Sequence, residues 1–202
     1  MPTTMQIFAI LFLMIGPFKI IGPFAKITQG ADKTLTRQIA FRATIFSSIA
    51  LLLAAFLGER IMNNYNIPLP ILAISGALVL FLVALLSIIK QFSPATEQAE
   101  NTLTPTMKMA VNPLAFPTIV TPYGIAAVIV FLAMSPDPGT KITVGIIVLG
   151  IMVLNLVVML ITRSIFKVLA IILPLLAAIL GIIQVALGLM IMYNQFRILL
   201  EK

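Results

Sequence analysis

Six apolar runs, each close to the length of a membrane-spanning helix, follow one another along this chain and leave little sequence for anything else. They are Met5 to Ala25, Ile39 to Leu57, Ile71 to Ile89, Met107 to Met134, Ile142 to Ile161 and Val168 to Tyr193. A spanning helix needs about 20 mainly apolar residues, so six of them use roughly 120 positions of the 202 available. Composition agrees. Hydrophobic residues make up 61% and charged residues 9%, with mean hydropathy +1.17, whereas a soluble domain carries about a quarter charged residues. The expected fold class is therefore an all-α membrane protein with six transmembrane helices. The first span lacks a basic leader and a small-residue cleavage site, so it reads as a retained span.

The residue inventory removes most reaction chemistry. There is no cysteine and no histidine, hence no thiol nucleophile, no imidazole base and none of the usual zinc or haem ligands. The six acidic residues, Asp32, Glu59, Glu97, Glu100, Asp137 and Glu201, fall in or beside loops. A proton relay through a buried carboxylate then has no carrier, and an intramembrane hydrolase has neither a serine–histidine pair nor an embedded aspartate pair. No enzyme activity, no cofactor and no metal are expected.

Lysine and arginine set an orientation. The loops after spans one, three and five hold Lys26, Lys33, Arg37, Arg42, Lys90, Lys108, Arg163 and Lys167, against Arg60, Lys141, Arg197 and Lys202 on the other side. The bias predicts that these three loops are cytoplasmic and that both chain ends face outside. The formal charge of +7 is spread over separate short loops, which argues against a nucleic-acid partner.

An internal repeat accompanies the spans. At an offset of about 96 positions, Gly16-Pro17 falls on Asn112-Pro113, and one residue further Leu72-Ala73-Ile74 falls on Leu169-Ala170-Ile171. This gives a first three-span repeat over 1–89, a polar cytoplasmic linker over 90–106 and a second three-span repeat over 107–202. An odd number of spans per repeat predicts inverted topology. The first span of each half is interrupted, by Gly16-Pro17 and Gly22-Pro23 in one and by Pro113, Pro117 and Pro122 in the other. Each proline frees a carbonyl that hydrocarbon cannot solvate, so the backbone there must be buried in protein or line a wet cavity. Discontinuous helices meeting near the midplane are one reading, and plain proline kinks the other. Half-helix ends offer N–H groups to a carboxylate and carbonyls to an ammonium or cation, which suits a zwitterion.

Lys19 is the single charged residue well inside a span. Its ammonium either snorkels to the interface or sits in the cavity and pairs a substrate carboxylate. Asn112 caps the broken helix it interrupts or contacts ligand, and Asn155 and Gln184 read as interhelical hydrogen-bond partners. Ser75-Gly76, Gly181 and Gly188 allow close helix contact.

Gly16-Pro17 followed by Phe24 to Thr28, Arg37 to Ala43, Gly58 to Leu85 with Ile67-Pro-Leu-Pro70 and Ile74-Ser-Gly76, and Pro113-Leu-Ala-Phe-Pro117 with Pro122 and Ile125 form a set of segments. Together they resemble the MarC family of six-span membrane proteins. The resemblance implies a multi-pass protein of a prokaryotic cytoplasmic membrane, related to the SnatA type associated with alanine and glycine transport. Residues matching the family pattern are Pro17, Phe24, Asn112, Pro113, Pro117, Pro122 and Gln184. The chain departs from it at Gly16, at Lys19-Ile20, and at Thr121 and Tyr123 on either side of Pro122.

The expected function is a secondary transporter or exporter of small neutral amino acids working by alternating access. Its expected substrate-binding residues are Gly16, Pro17, Lys19, Asn112, Pro113, Pro117, Thr121, Pro122 and Gln184. The partners expected are the zwitterionic solute and the lipid bilayer, and the apolar exterior also allows a homo-oligomer. A pore lined by the broken helices, or a membrane scaffold without transport, are the alternatives.

Overall fold

A computed structural model describes residues 3–92, 105–135 and 137–201, with the side chains of residues 63, 90–92, 163–171, 173 and 174 left aside. Most of the expected linker, with Glu97 and Glu100, and the side chains of Lys90, Arg163 and Lys167 lie outside the described residues. Those that are described form helices and no strand. They are α1 (Thr4–Ile15), a short 3-10 turn (Pro17–Lys19), α2 (Ile21–Ile27), α3 (Lys33–Tyr65) and α4 (Leu69–Phe92). A 3-10 turn (Met107–Ala110), a widened helical segment (Val111–Ile119), α5 (Pro122–Ala133) and α6 (Pro138–Leu200) complete the order.

Local sequence accounts for the boundaries. Thr3 and Gln6 form a reciprocal capping box at the start of α1, with bonds of 2.8 and 3.3 Å. The turn into α3 is made by Gly30 at φ 80, a left-handed conformation that glycine adopts without steric cost. There Asp32 Oδ1 accepts from the Leu35 amide at 2.9 Å. Pro70 lies in the first turn of α4, as expected of a residue with no amide to leave unpaired. Asp137 caps α6, accepting from Thr140 N at 2.8 Å and Thr140 Oγ1 at 2.9 Å, and these bonds hold its carboxyl below the ordinary value of 3.8.

Five helical stretches are long and apolar enough to cross a membrane, and six when the pair Met107–Ile119 and Pro122–Ala133, bent by 61°, counts as one. Their bounds lie within about six residues of the expected ones for the first five spans; the last is described over Leu175–Leu200, and its expected start at Val168 falls among residues whose side chains lie outside the described set. Glu59, expected beside a loop, lies within α3 near its end, where its carboxylate pairs with Lys141. Large apolar side chains such as Ile142, Ile146, Val153, Leu175 and Ile182 stand exposed along the spans. Faces this apolar are stable against lipid and not against water.

Helix α6 has 63 residues, about 95 Å if straight, roughly three times the hydrocarbon thickness. It is not straight. Asn155 and Gln184, about 43 Å apart on a straight helix, bond the backbone of Ile15 and Leu13, two residues apart on α1. The helix therefore folds back, and its arms Pro138–Thr162 and Leu175–Leu200 are separate spans packed on the same part of α1.

The core sits where these spans converge, around Leu11, Ile15, Phe24, Ile39, Leu51, Leu80, Leu114, Ile151 and Met152. Glycine sets several of the helix contacts. A Cβ on Gly76 would lie 2.6 Å from Ala126 Cβ, on Gly188 3.0 Å from Phe81 Cβ and on Gly181 2.9 Å from Ile88 Cγ1, consistent with the packing roles expected for these glycines. Two further glycines let the halves approach closely: a Cβ on Gly58 would lie 2.2 Å from Ile129 Cδ1, and one on Gly124 2.5 Å from Ile15 Cγ2. Gly124→Leu should accordingly lower stability by about 1–3 kcal/mol or more, the usual cost of overpacking. Thermal unfolding of the purified protein in detergent measures this, and an unchanged midpoint would contradict the contact.

Candidate functional site

The second span breaks at its prolines, and the first breaks at Gly16-Pro17 but not at Gly22-Pro23, which was expected to interrupt it as well and instead lies in the first turn of α2, where a proline has no helical amide to lose. In the first, Gly16 is extended (φ −81, ψ 176) between α1 and Pro17, and a Cβ there would lie 2.0 Å from the Phe12 carbonyl oxygen. In the second, Asn112 (φ −130, ψ 119) and Phe116 (φ −132, ψ 129) leave the helical region ahead of Pro113 and Pro117, each joined through a cis peptide bond. Val120 is extended as well, and α5 starts anew at Pro122, with Thr121 Oγ1 accepting from Gly124 N at 3.1 Å.

The end of α1 has no following turn to satisfy its carbonyls, and in an apolar surrounding each unpaired group costs free energy. Three successive carbonyls find donors from elsewhere. Gln184 Nε2 donates to Leu13 O at 3.0 Å, Lys19 Nζ to Met14 O at 3.0 Å and Asn155 Nδ2 to Ile15 O at 2.9 Å. Asn155 and Gln184 are thus interhelical partners, as their place in the spans suggested. The freed carbonyls that were expected to await a ligand are engaged by the protein's own side chains.

Lys19 does not snorkel. Its ammonium points into the protein, bonds the Tyr123 hydroxyl and lies 4.3 Å from the centroid of the Tyr123 ring. Since Lys19 follows the first break and Tyr123 follows the second, this contact joins the two interruptions. The N-terminus of α5 lies at the same point, and its dipole adds to the positive potential of Lys19. No carboxylate lines the adjoining cavity, and no group of acidic residues suited to a metal occurs among the described residues.

Two cavities flank Tyr123. One, of about 270 Å³, is lined by Lys19, Tyr123, Gln184, Ser87, Phe18, Val83 and the start of the last span. The other, of about 290 Å³, is mostly apolar and is lined by Tyr123, Met14, Ala73, Gly76, Val130, Met134 and Asn194 among others. Three helices place them in a consistent axial order. On α4 the apolar cavity meets residues 73–77 and the polar one residues 83–87, about 15 Å further along. On α1 and its continuation the order is the same, and on the last span, which runs the other way, it is reversed. Tyr123 is the one residue common to both linings.

Of the nine expected site residues, Gly16, Pro17, Lys19, Thr121 and Gln184 belong to this junction. Asn112, Pro113, Pro117 and Pro122 do not: all four are exposed on the outer surface. Tyr123 was absent from the expected set. The signal was its position, a tyrosine in the middle of an apolar span, while Tyr65 and Tyr193 stand at or near span ends.

A family model described as MarC family integral membrane protein matches residues 1–200. A UPF0056 membrane protein of Methanocaldococcus jannaschii is 28% identical over 144 residues, covering 70% of each chain. A UPF0056 membrane protein of Buchnera aphidicola is 30% identical over 113 residues, covering 56% of this chain and 55% of the relative. No solved structure matches the chain.

The chain contains no cysteine, so single-cysteine variants report one position each. Ser87→Cys in the polar cavity and Ala73→Cys in the apolar one should react with a membrane-impermeant thiol reagent added from opposite sides of oriented vesicles. Labelling of both from the same side would contradict the axial order.

Proposed function

The chain belongs to the MarC family, and from that premise we propose that it is a secondary transporter of small neutral amino acids such as alanine and glycine. It works by alternating access between two inverted three-span repeats, as an exporter or exchanger in a prokaryotic cytoplasmic membrane, with both chain ends outside. One observation carries this reading: a polar and an apolar cavity approach the same Lys19–Tyr123 contact from opposite ends of the bundle. Alternating access needs a site that either side can reach but not both at once, and two cavities whose linings share only Tyr123 suit that requirement.

The chemistry suits a zwitterion with a small side chain. A substrate carboxylate is attracted by the Lys19 ammonium and by the N-terminus of α5. Its ammonium takes the place of Lys19 over the Tyr123 ring face. Exchange of one cation for another at the ring keeps the aromatic face occupied while Lys19 turns to the carboxylate. A cavity of about 270 Å³ lies below the range of sites for drug-sized ligands and fits a solute of a few heavy atoms.

Purified protein in liposomes should give saturable uptake of radiolabelled alanine or glycine that supports counterflow, while flux without saturation, or ionic conductance, would indicate a pore and overturn the proposal. Lys19→Met should lower that uptake about tenfold or more, the scale of one charge-assisted hydrogen bond. Its thermal midpoint must be read alongside, because Lys19 also satisfies Met14 O. Asn155→Leu serves as the comparison: loss of the Ile15 O partner should cost about 1–3 kcal/mol in stability, with a smaller effect on uptake by the molecules that remain folded.

A further inference from the structure

A separate cleft of about 440 Å³ opens at the start of α3 and shares no lining residue with either cavity at Tyr123. It is lined by Thr34, Arg37, Gln38, Phe41 and Arg42, and closed from the second half by Met107. At about 100° per residue, Thr34 and Phe41 share one helix face, and Arg37 and Arg42 flank it on either side. Both guanidiniums are exposed, and among the described residues neither has a carboxylate partner; the ion pairs there are Lys141–Glu59 and Arg197–Glu201. Asp32, the nearest acid in sequence, is engaged by the Leu35 amide. Lys33 and Lys108, next to the lining residues, are exposed and add positive charge.

Continuing along the same face, Phe41 is succeeded by Ile45 and Leu52, both exposed, and all three lie within about 40° of Thr34 around the helix axis. One end of this strip offers two guanidiniums, a hydroxyl and an amide, and the other is bare hydrocarbon surface on a spanning helix. A ligand satisfying both ends is amphiphilic and anionic. We propose that this cleft binds the phosphate of an anionic membrane phospholipid, with Arg37 and Arg42 on the headgroup and an acyl chain laid along Phe41, Ile45 and Leu52. Arginine fits the headgroup because its planar fork grips phosphate oxygens bidentately, and basic pockets between spans at the membrane interface are where such lipids are held.

Native mass spectrometry of the purified full chain tests this with phosphatidylglycerol, phosphatidylcholine of the same acyl chains, and glycerol 3-phosphate. Phosphatidylglycerol should be retained in preference to phosphatidylcholine. The double variant Arg37→Gln, Arg42→Gln should lower that retention about tenfold or more, the order expected for two basic groups at an anionic headgroup. Phe41→Ser, which keeps both charges, should lower it as well. Arg60→Gln, at the far end of the same helix, should leave it unchanged. Equal loss in the Arg60 variant would mean general charge attraction and would overturn the proposal, as would undiminished retention in both cleft variants. Glycerol 3-phosphate binding as well as the lipid would assign the cleft to a soluble phosphate and also overturn it.

Discussion

Three carbonyl oxygens at the end of α1 govern how the rest of this protein is arranged. Gly16 and Pro17 stop the helix inside an apolar surrounding, and water is not there to take the bonds that the missing turn would have made. Leu13, Met14 and Ile15 are instead satisfied by an amide from each arm of α6 and by the ammonium of Lys19. The donors come from sequence positions far apart, so the break can exist only in the assembled bundle. This ties the fold-back of α6, the inward turn of Lys19 and the position of α5 to one requirement of hydrogen bonding.

The same requirement explains the character of the junction. With the carbonyls occupied, the charge facing the cavity is the Lys19 ammonium, set beside the Tyr123 hydroxyl and the N-terminal end of the α5 dipole, while the Ser87 hydroxyl is held by its own helix, donating to Val83 O. No acid offsets that charge among the lining residues. The site is electropositive by construction, and the recognition of an anionic group proposed above follows from that sign. Gly124 allows the approach, because any larger residue would hold Ile15, and with it the first break, away from Tyr123.

How far the sequence foretold this depends on what each feature rests on. The spans were readable because apolar runs and prolines act locally: Pro17, Pro113, Pro117 and Pro122 each mark a break or restart that the structure contains. Asn155 and Gln184 were readable as partners because an amide within a span has few alternatives to a hydrogen bond inside the protein. The fate of the freed carbonyls was not readable, since it depends on three-dimensional pairing across as many as 171 positions. Nor was the outward placement of Asn112, Pro113 and Pro117, because a broken helix shows one face to the core and the break itself does not say which. Tyr123 was hidden for the same reason: its role comes from Lys19, which lies 104 positions away.

The two amides that hold α1 belong to opposite arms of one hairpin. Any rearrangement that spreads the arms must therefore let go of Leu13 or Ile15, and one that keeps both bonds must swing the hairpin and the end of α1 as a single lever. The helix terminus is thus a fulcrum, and the neighbouring half of the molecule is what has room to tilt about it.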